Sequence, residues 1–133
     1  MNIQTIQADL ALLTDWEDRY GYIIDLGHNL PEFPQDQKTD ANKVRGCTSR
    51  VWLIAEKGQG GTHTFQAEAD ALIVQGLLYV LFALYNGKTA QEIQTINAAE
   101  ELEKLNLGTH LSPNRRSGFV AVAEKIKHLT KEG

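Results

Sequence analysis

Cys47 is the one thiol in a chain of 133 residues, and its neighbours suit a reactive group better than a packed one. The segment Asn42-Lys43-Val44-Arg45-Gly46-Cys47-Thr48-Ser49-Arg50-Val51-Trp52 sets it in a polar, cationic stretch just before an apolar run. The thiolate is the nucleophilic form of cysteine. Lys43, Arg45 and Arg50 would lower the pKa from about 8.5 towards neutrality if their side chains approach the sulfur. The plainer reading is a cysteine used as a small core hydrophobe, which composition alone would favour. A single thiol also forbids an intrachain disulfide and a thiolate-rich metal cage within one chain.

Other chemistries find less support. His28, His63, His110 and His128 lack metal-ligand spacing such as two histidines four apart on one helix. A Cys-His hydrolase pairing Cys47 with His63 or His110 stays open, because such partners meet in space, yet no protease signature surrounds Cys47. Gly87-Lys88-Thr89 resembles the end of a phosphate-binding loop, but Phe82 stands where that loop needs glycine. Gly58, Gly60 and Gly61 lack the third glycine of a dinucleotide fingerprint, since His63 takes its place.

The elements that must position Cys47 can be read from caps and periodicity. Thr14-Asp15-Trp16-Glu17 has capping-box spacing, and Trp16, Tyr20, Ile23, Ile24 and Gly27 follow on one helical face until Leu30-Pro31. From Pro31 to Lys43 the chain reads as an irregular connection. Val51-Trp52-Leu53-Ile54-Ala55 and Thr62 to Ala67 read as two strands of a hairpin turned by Gly58-Gln59-Gly60-Gly61. Asp70 stands as the N-cap of a central apolar helix running through Leu72, Leu77, Leu81 and Leu84. Thr89-Ala90-Gln91-Glu92 opens a shorter helix, and another is expected around Ala98 to Leu105 before Gly108 breaks the chain. Ser112-Pro113 starts the last helix, whose buried face is expected to hold Phe119, Val122, Ala123, Ile126 and Leu129. Helices, a hairpin and more helices point to an α+β fold, a small antiparallel sheet flanked by helices.

Length and 42% hydrophobic content fit one domain over residues 1–133. Lys plus Arg total 13 against 17 Asp plus Glu, a net charge of -4, so a broad nucleic-acid surface is not expected. The apolar stretch from Ala71 to Tyr85 is shorter than the ~20 residues that cross a bilayer, so no membrane association is expected. The N-terminus reads as no secretory signal, which leaves a cytoplasmic location as the expectation.

The longer pattern shifts the balance on Cys47. Gly46-Cys47-x-Ser49-x-Val51-Trp52, with Asn42-Lys43-Val44 before it, resembles the active-site segment of the SufE family, which includes SufE and its paralogue CsdE. Three more stretches are similar to that family in order and spacing: Trp16-Glu17-x-Arg19-Tyr20 with Ile24-x-Leu26-Gly27-x-x-Leu30-Pro31, then Asp70-Ala71-x-Ile73-Val74-x-Gly76-Leu77, then Leu111-Ser112-Pro113-x-Arg115-x-x-Gly118. The likeness covers nearly the whole chain and leans to the CsdE side. Thr48 and Arg50 fall at positions that the family varies.

This resemblance implies a sulfur acceptor of SufE/IscU-like fold. Cys47 would take persulfide sulfur from a pyridoxal-phosphate-dependent cysteine desulfurase of the SufS or CsdA kind and stimulate that enzyme. The sulfur would pass toward an iron-sulfur scaffold or another acceptor, with no independent turnover. Pyridoxal phosphate would stay on the partner, leaving this chain no cofactor and no metal of its own. The resemblance also implies a cysteine turned inward over an apolar pocket at rest, on a loop of Lys43, Arg45, Gly46, Thr48, Ser49 and Arg50 that opens when the partner docks. Arg115 matches the family's arginine in the first turn of the last helix, where positive charge opposes the helix dipole, and is expected to line the loop or the partner surface. Asp70 is a second candidate for pocket or partner contact, although an N-cap role alone would explain it. The alternatives are an iron-sulfur scaffold, disfavoured by one thiol per chain, and a non-catalytic desulfurase-binding module.

Overall fold

The computed structural model describes residues 2–107 and 110–131, so the expected break at Gly108 lies outside the described residues. Helix α1 (Ile3–Leu12) is marked by none of the motifs above. Asn2 caps it by accepting from the Thr5 N–H at 2.8 Å, and Ile6 and Leu10, four residues apart, are buried. Helix α2 (Trp16–Gly27) starts one residue later than its capping box implies. Asp15, not Thr14, is the N-cap, accepting from the Glu17 N–H at 3.0 Å. A carboxylate does this better than a hydroxyl, since it also faces the positive end of the helix dipole.

The irregular connection after α2 contains two short 3-10 turns, Gln35–Gln37 and Asp40–Asn42. The hairpin then forms as expected, with both strands two residues longer. Strand β1 (Val51–Lys57) pairs antiparallel with β2 (Thr62–Ala69), from Val51 opposite Ala69 to Lys57 opposite His63. Ladder pairing carries the polar Glu56, Lys57 and Glu68 into strands that hydrophobicity alone would end sooner. Gly60 and Gly61, at φ 71° and 75°, make the turn. A two-residue strand β3 (Lys88–Thr89) pairs with β2, giving the sheet order β1-β2-β3.

Helix α3 (Leu72–Tyr85) is central, with nine buried residues that include Ile73, Leu77, Val80 and Leu81. Its cap differs from expectation: Ala71 occupies the N-cap, without a side-chain bond, because the Asp70 carboxylate is engaged elsewhere. Gln75, the polar interruption of the apolar run, accepts from the Ala69 N–H at 2.6 Å and ties the helix to the end of β2. Helices α2 and α3 meet backbone to backbone. A Cβ on Gly76 would stand 2.0 Å from the Ile23 carbonyl oxygen, and one on Gly27 would stand 2.6 Å from the Gly76 nitrogen. Only glycine allows that approach.

Helices α4 (Ala90–Thr95) and α5 (Ala98–Lys104) follow, the first opened by the Thr89/Glu92 capping box with both bonds formed. Helix α6 (Pro113–Thr130) has Ser112 as its cap and Pro113 in its first turn. Its buried residues are Phe119, Val122, Ala123, Ile126 and Thr130. Leu129, expected inside, is 42% exposed. Thr130 takes the inward place by donating from Oγ1 to the Ile126 carbonyl at 2.8 Å. Buried residues from α1 to α6 form one hydrophobic cluster, with Cys47 packed against it. No helix among the described residues is long and apolar enough to cross a membrane.

Candidate functional site

Cys47 sits in the loop between the Asp40–Asn42 turn and β1. The loop is tied at both ends. Val44 donates its N–H to the Val51 carbonyl at 2.8 Å, and Asp70 donates its N–H to the Arg50 carbonyl at 3.1 Å. Asp70 also accepts from Arg50 N–H at 3.1 Å and from Arg50 Nε at 3.2 Å. Between these ties Gly46 takes φ 88°, the left-handed region that L side chains avoid, and a Cβ there would lie 3.3 Å from the Ala121 side chain. This turn points the next residue, Cys47, inward.

The thiol is half-buried and faces α6, where Sγ lies 3.6 Å from the Gly118 carbonyl oxygen and donates to it. A Cβ on Gly118 would stand 3.6 Å from Sγ, an ordinary van der Waals contact. Beside the sulfur lies a cavity of about 180 Å³. Helix α3 supplies Val74, Leu77, Leu78 and Leu81 to its wall, and α6 supplies Arg115, Gly118, Phe119 and Val122. Those four α6 positions recur at three- and four-residue intervals, one face of a helix. Thr48, Ser49, Ser112 and Asn114 complete the polar rim.

Burial pushes the Cys47 thiol above its ordinary value, because the charged form loses solvation in this setting. The sequence expectation that nearby cations depress it does not hold in this closed arrangement. Arg50 is held by Asp70 and its guanidinium carbon lies 6.0 Å over the Trp52 ring. Exposed Lys43 and Arg45 line a second depression together with Asp40, Gly46 and Cys47 itself, and burial still outweighs them at the sulfur.

Of the residues singled out by sequence, Thr48, Ser49 and Arg115 therefore share the cavity with Cys47, while Lys43, Arg45 and Gly46 line the second depression, which Cys47 also borders. Asp70 lies outside the cavity and fixes the loop's end. Val51 is fully buried, and Trp52 stacks under the Lys38 ammonium at 5.0 Å from its ring centroid. Neither His63 nor His110 lines the Cys47 cavity; His63 is buried in β2 and His110 stacks on Trp16 at 4.7 Å. No group of three or more His, Cys, Asp or Glu among the described residues is placed to hold a metal ion.

Sequence reasoning treated the apolar wall as core and missed its second role. The available signal was register: Phe119 and Val122 follow Arg115 at four and seven positions, so a cavity reached by Arg115 is also walled by them. Chemically, the arrangement couples a nucleophile to a sheltered space with an apolar floor and a cationic, hydroxyl-bearing rim.

Comparison with known proteins gives consistent matches. A family model described as SufE, Fe-S metabolism associated domain, matches residues 4–130. An uncharacterized SufE-like protein of Rhizobium meliloti is 42% identical over 129 residues, covering 95% of this chain and 92% of that protein. A second uncharacterized SufE-like protein, from Rhizobium etli, is 38% identical over 133 residues, covering 98% and 90%. Among solved structures, a hypothetical protein from Thermus thermophilus, determined in solution, superposes with a TM-score of 0.78. The match covers 98% of this chain and 93% of that one, and at 14% identity it speaks to the fold alone.

Proposed function

The chain belongs to the SufE family of Fe-S metabolism associated domains, and from that premise we propose that it is a sulfur carrier whose Cys47 receives a persulfide from a cysteine desulfurase. The observation that carries this reading is the pairing of Cys47 with its cavity. A persulfide is easily reduced or over-oxidised, and an apolar recess beside the sulfur slows both by excluding water-borne reagents. A buried structural cysteine would need no such space.

The transfer is a thiol-disulfide type of exchange. The Cys47 thiolate attacks the outer sulfur of the partner's persulfide, and the partner's cysteine leaves as thiolate. Pyridoxal phosphate, which frees the sulfur from cysteine, belongs to the partner in this reading. At rest burial favours the protonated thiol, which donates to the Gly118 carbonyl. Turning the loop outward about Gly46 on docking exposes the sulfur to the partner's persulfide and favours the thiolate. The loaded loop then closes, and the sulfur passes in the cytoplasm toward an iron-sulfur scaffold or another acceptor.

Incubating the chain with a cysteine desulfurase and cysteine, followed by intact-mass measurement, should show one added sulfur atom on the wild type and none on Cys47→Ser. The same variant should also lose most of the stimulation of cysteine turnover. A wild-type mass that never changes removes the carrier reading. Full stimulation by Cys47→Ser would leave only a binding module.

A further inference from the structure

The cavity beside Cys47 is more polar at its rim than shelter for one sulfur atom requires. Arg115 lines it together with Ser49, Ser112 and Asn114. The Arg115 Nη1 group is buried and has no hydrogen-bond partner. An unpaired buried guanidinium N–H is costly, and most such groups find an acceptor. Within α6, Ser112 already accepts from the N–H groups of Arg115 and Arg116. The Asn114 N–H, by its place in the first turn, has no carbonyl within the helix to bond. One buried donor, Arg115 Nη1, and one solvent-facing donor, the Asn114 N–H, thus border the cavity without acceptors from the helix that carries them. The wall that α3 supplies is apolar, with Leu77, Leu78 and Leu81, and Phe119 extends it on the α6 side. A ligand suited to both walls is an anion with one hard, charged end and one soft, polarisable end.

We propose that this cavity admits thiosulfate-type anions and that Cys47 takes sulfane sulfur from them directly, with no protein donor. The sulfonate end lies at Arg115 and the Asn114 N–H, and the sulfane sulfur meets Cys47 over the apolar wall. The thiol proton first passes to solvent. The thiolate attacks the sulfane sulfur, a new sulfur-sulfur bond forms at Cys47, and the thiosulfate sulfur-sulfur bond breaks with its electron pair leaving on sulfite. Thiolate plus thiosulfate gives persulfide anion plus sulfite, so charge and electrons balance without an outside oxidant or reductant. The cavity, about 180 Å³, is larger than the roughly 150 Å³ apolar cavity that accommodates benzene. This proposal rests on the reading of Cys47 as a persulfide carrier and changes the donor.

The test is anaerobic incubation of the full chain with thiosulfate alone, reading intact mass and released sulfite. The expected result is one sulfur atom gained per chain, one sulfite released for each, and a rate that saturates with thiosulfate. Arg115→Met should slow loading by about tenfold or more, the scale of one lost charge-assisted hydrogen bond, and Arg115→Lys should restore part of it. Alkylation of Cys47 by neutral iodoacetamide should proceed at the wild-type rate in both variants, which checks that the fold and the thiol are intact. No adduct on the wild type, a rate linear in thiosulfate, or equal loading of the wild type and Arg115→Met would each overturn the proposal. Desulfurase loading run in parallel separates the two readings. A chain loaded by the desulfurase but not by thiosulfate loses this inference alone, and a chain loaded only by thiosulfate loses the desulfurase donor alone.

Discussion

Arg50 and Asp70, twenty positions apart in sequence, hold each other through three hydrogen bonds: Arg50 N–H and Nε to the Asp70 carboxylate, and Asp70 N–H to the Arg50 carbonyl. They join the end of the Cys47 loop to the end of β2. This restricts motion of the loop to the residues on the other side of Arg50, around Gly46 and Cys47.

The first prediction concerns this clasp. Asp70→Ala removes the carboxylate from two of the three bonds and should raise the rate of Cys47 alkylation several-fold by loosening the loop. Because the Arg50 and Asp70 side chains are 65% and 39% exposed, the stability cost should stay within about 1 kcal/mol. Stopped alkylation read by mass checks the first statement and urea unfolding the second. An unchanged alkylation rate would show that the clasp does not govern access to the sulfur.

A second prediction follows from the raised Cys47 thiol. The folded chain holds this proton more tightly than the unfolded chain does. Its contribution to stability is therefore complete below the unfolded value, about 8.5, and is lost as pH rises through the higher folded value. Unfolding free energy measured across that window should fall more steeply for the wild type than for Cys47→Ser. The midpoint of Cys47 alkylation against pH should also lie above that of an unfolded peptide of the same sequence. Coincident midpoints would contradict the closed loop as the resting state in solution.

The third prediction tests the α2–α3 contact. Gly to Ala in a helix interior normally stabilises by about 1 kcal/mol. At Gly76 the sign should reverse, because the added methyl would fall 2.0 Å from the Ile23 carbonyl oxygen, a backbone atom that cannot step aside alone. Overpacking of this kind costs about 1–3 kcal/mol. Thermal unfolding of Gly76→Ala below the wild type supports the contact; a higher melting temperature would refute it.

Much of the architecture is legible in the sequence because its signals are local. The Thr89/Glu92 box, the Ser112-Pro113 start and the hairpin glycines each act within a few residues. Helix α1 is hard to read because two buried residues, Ile6 and Leu10, make too faint a stripe. Asp70 reads as a cap, whereas its real partner, Arg50, comes from an earlier strand end that no local pattern reveals. The family likeness locates Cys47, but the state of its thiol depends on distant groups. Gly118, whose carbonyl receives the thiol, is 71 positions away. Of the cations beside Cys47 in sequence, Arg50 is drawn to Asp70 and Trp52, while Lys43 and Arg45 border one depression with Cys47 without offsetting the loss of water around the sulfur.

The glycine contact between α2 and α3 bears on the sulfur as well as on stability. At about 100° of turn per residue, Val74, Leu77, Leu78 and Leu81 centre about 150° around α3 from Gly76. The cavity wall and the glycine contact are thus nearly back to back on one helix. Helix α3 works like a partition whose position is set from behind: the missing side chains at Gly27 and Gly76 let it sit back against α2. A thicker residue at either place would move the partition toward α6 and narrow the chamber beside Cys47. The room available to cargo is thereby gauged by two residues that do not line the chamber.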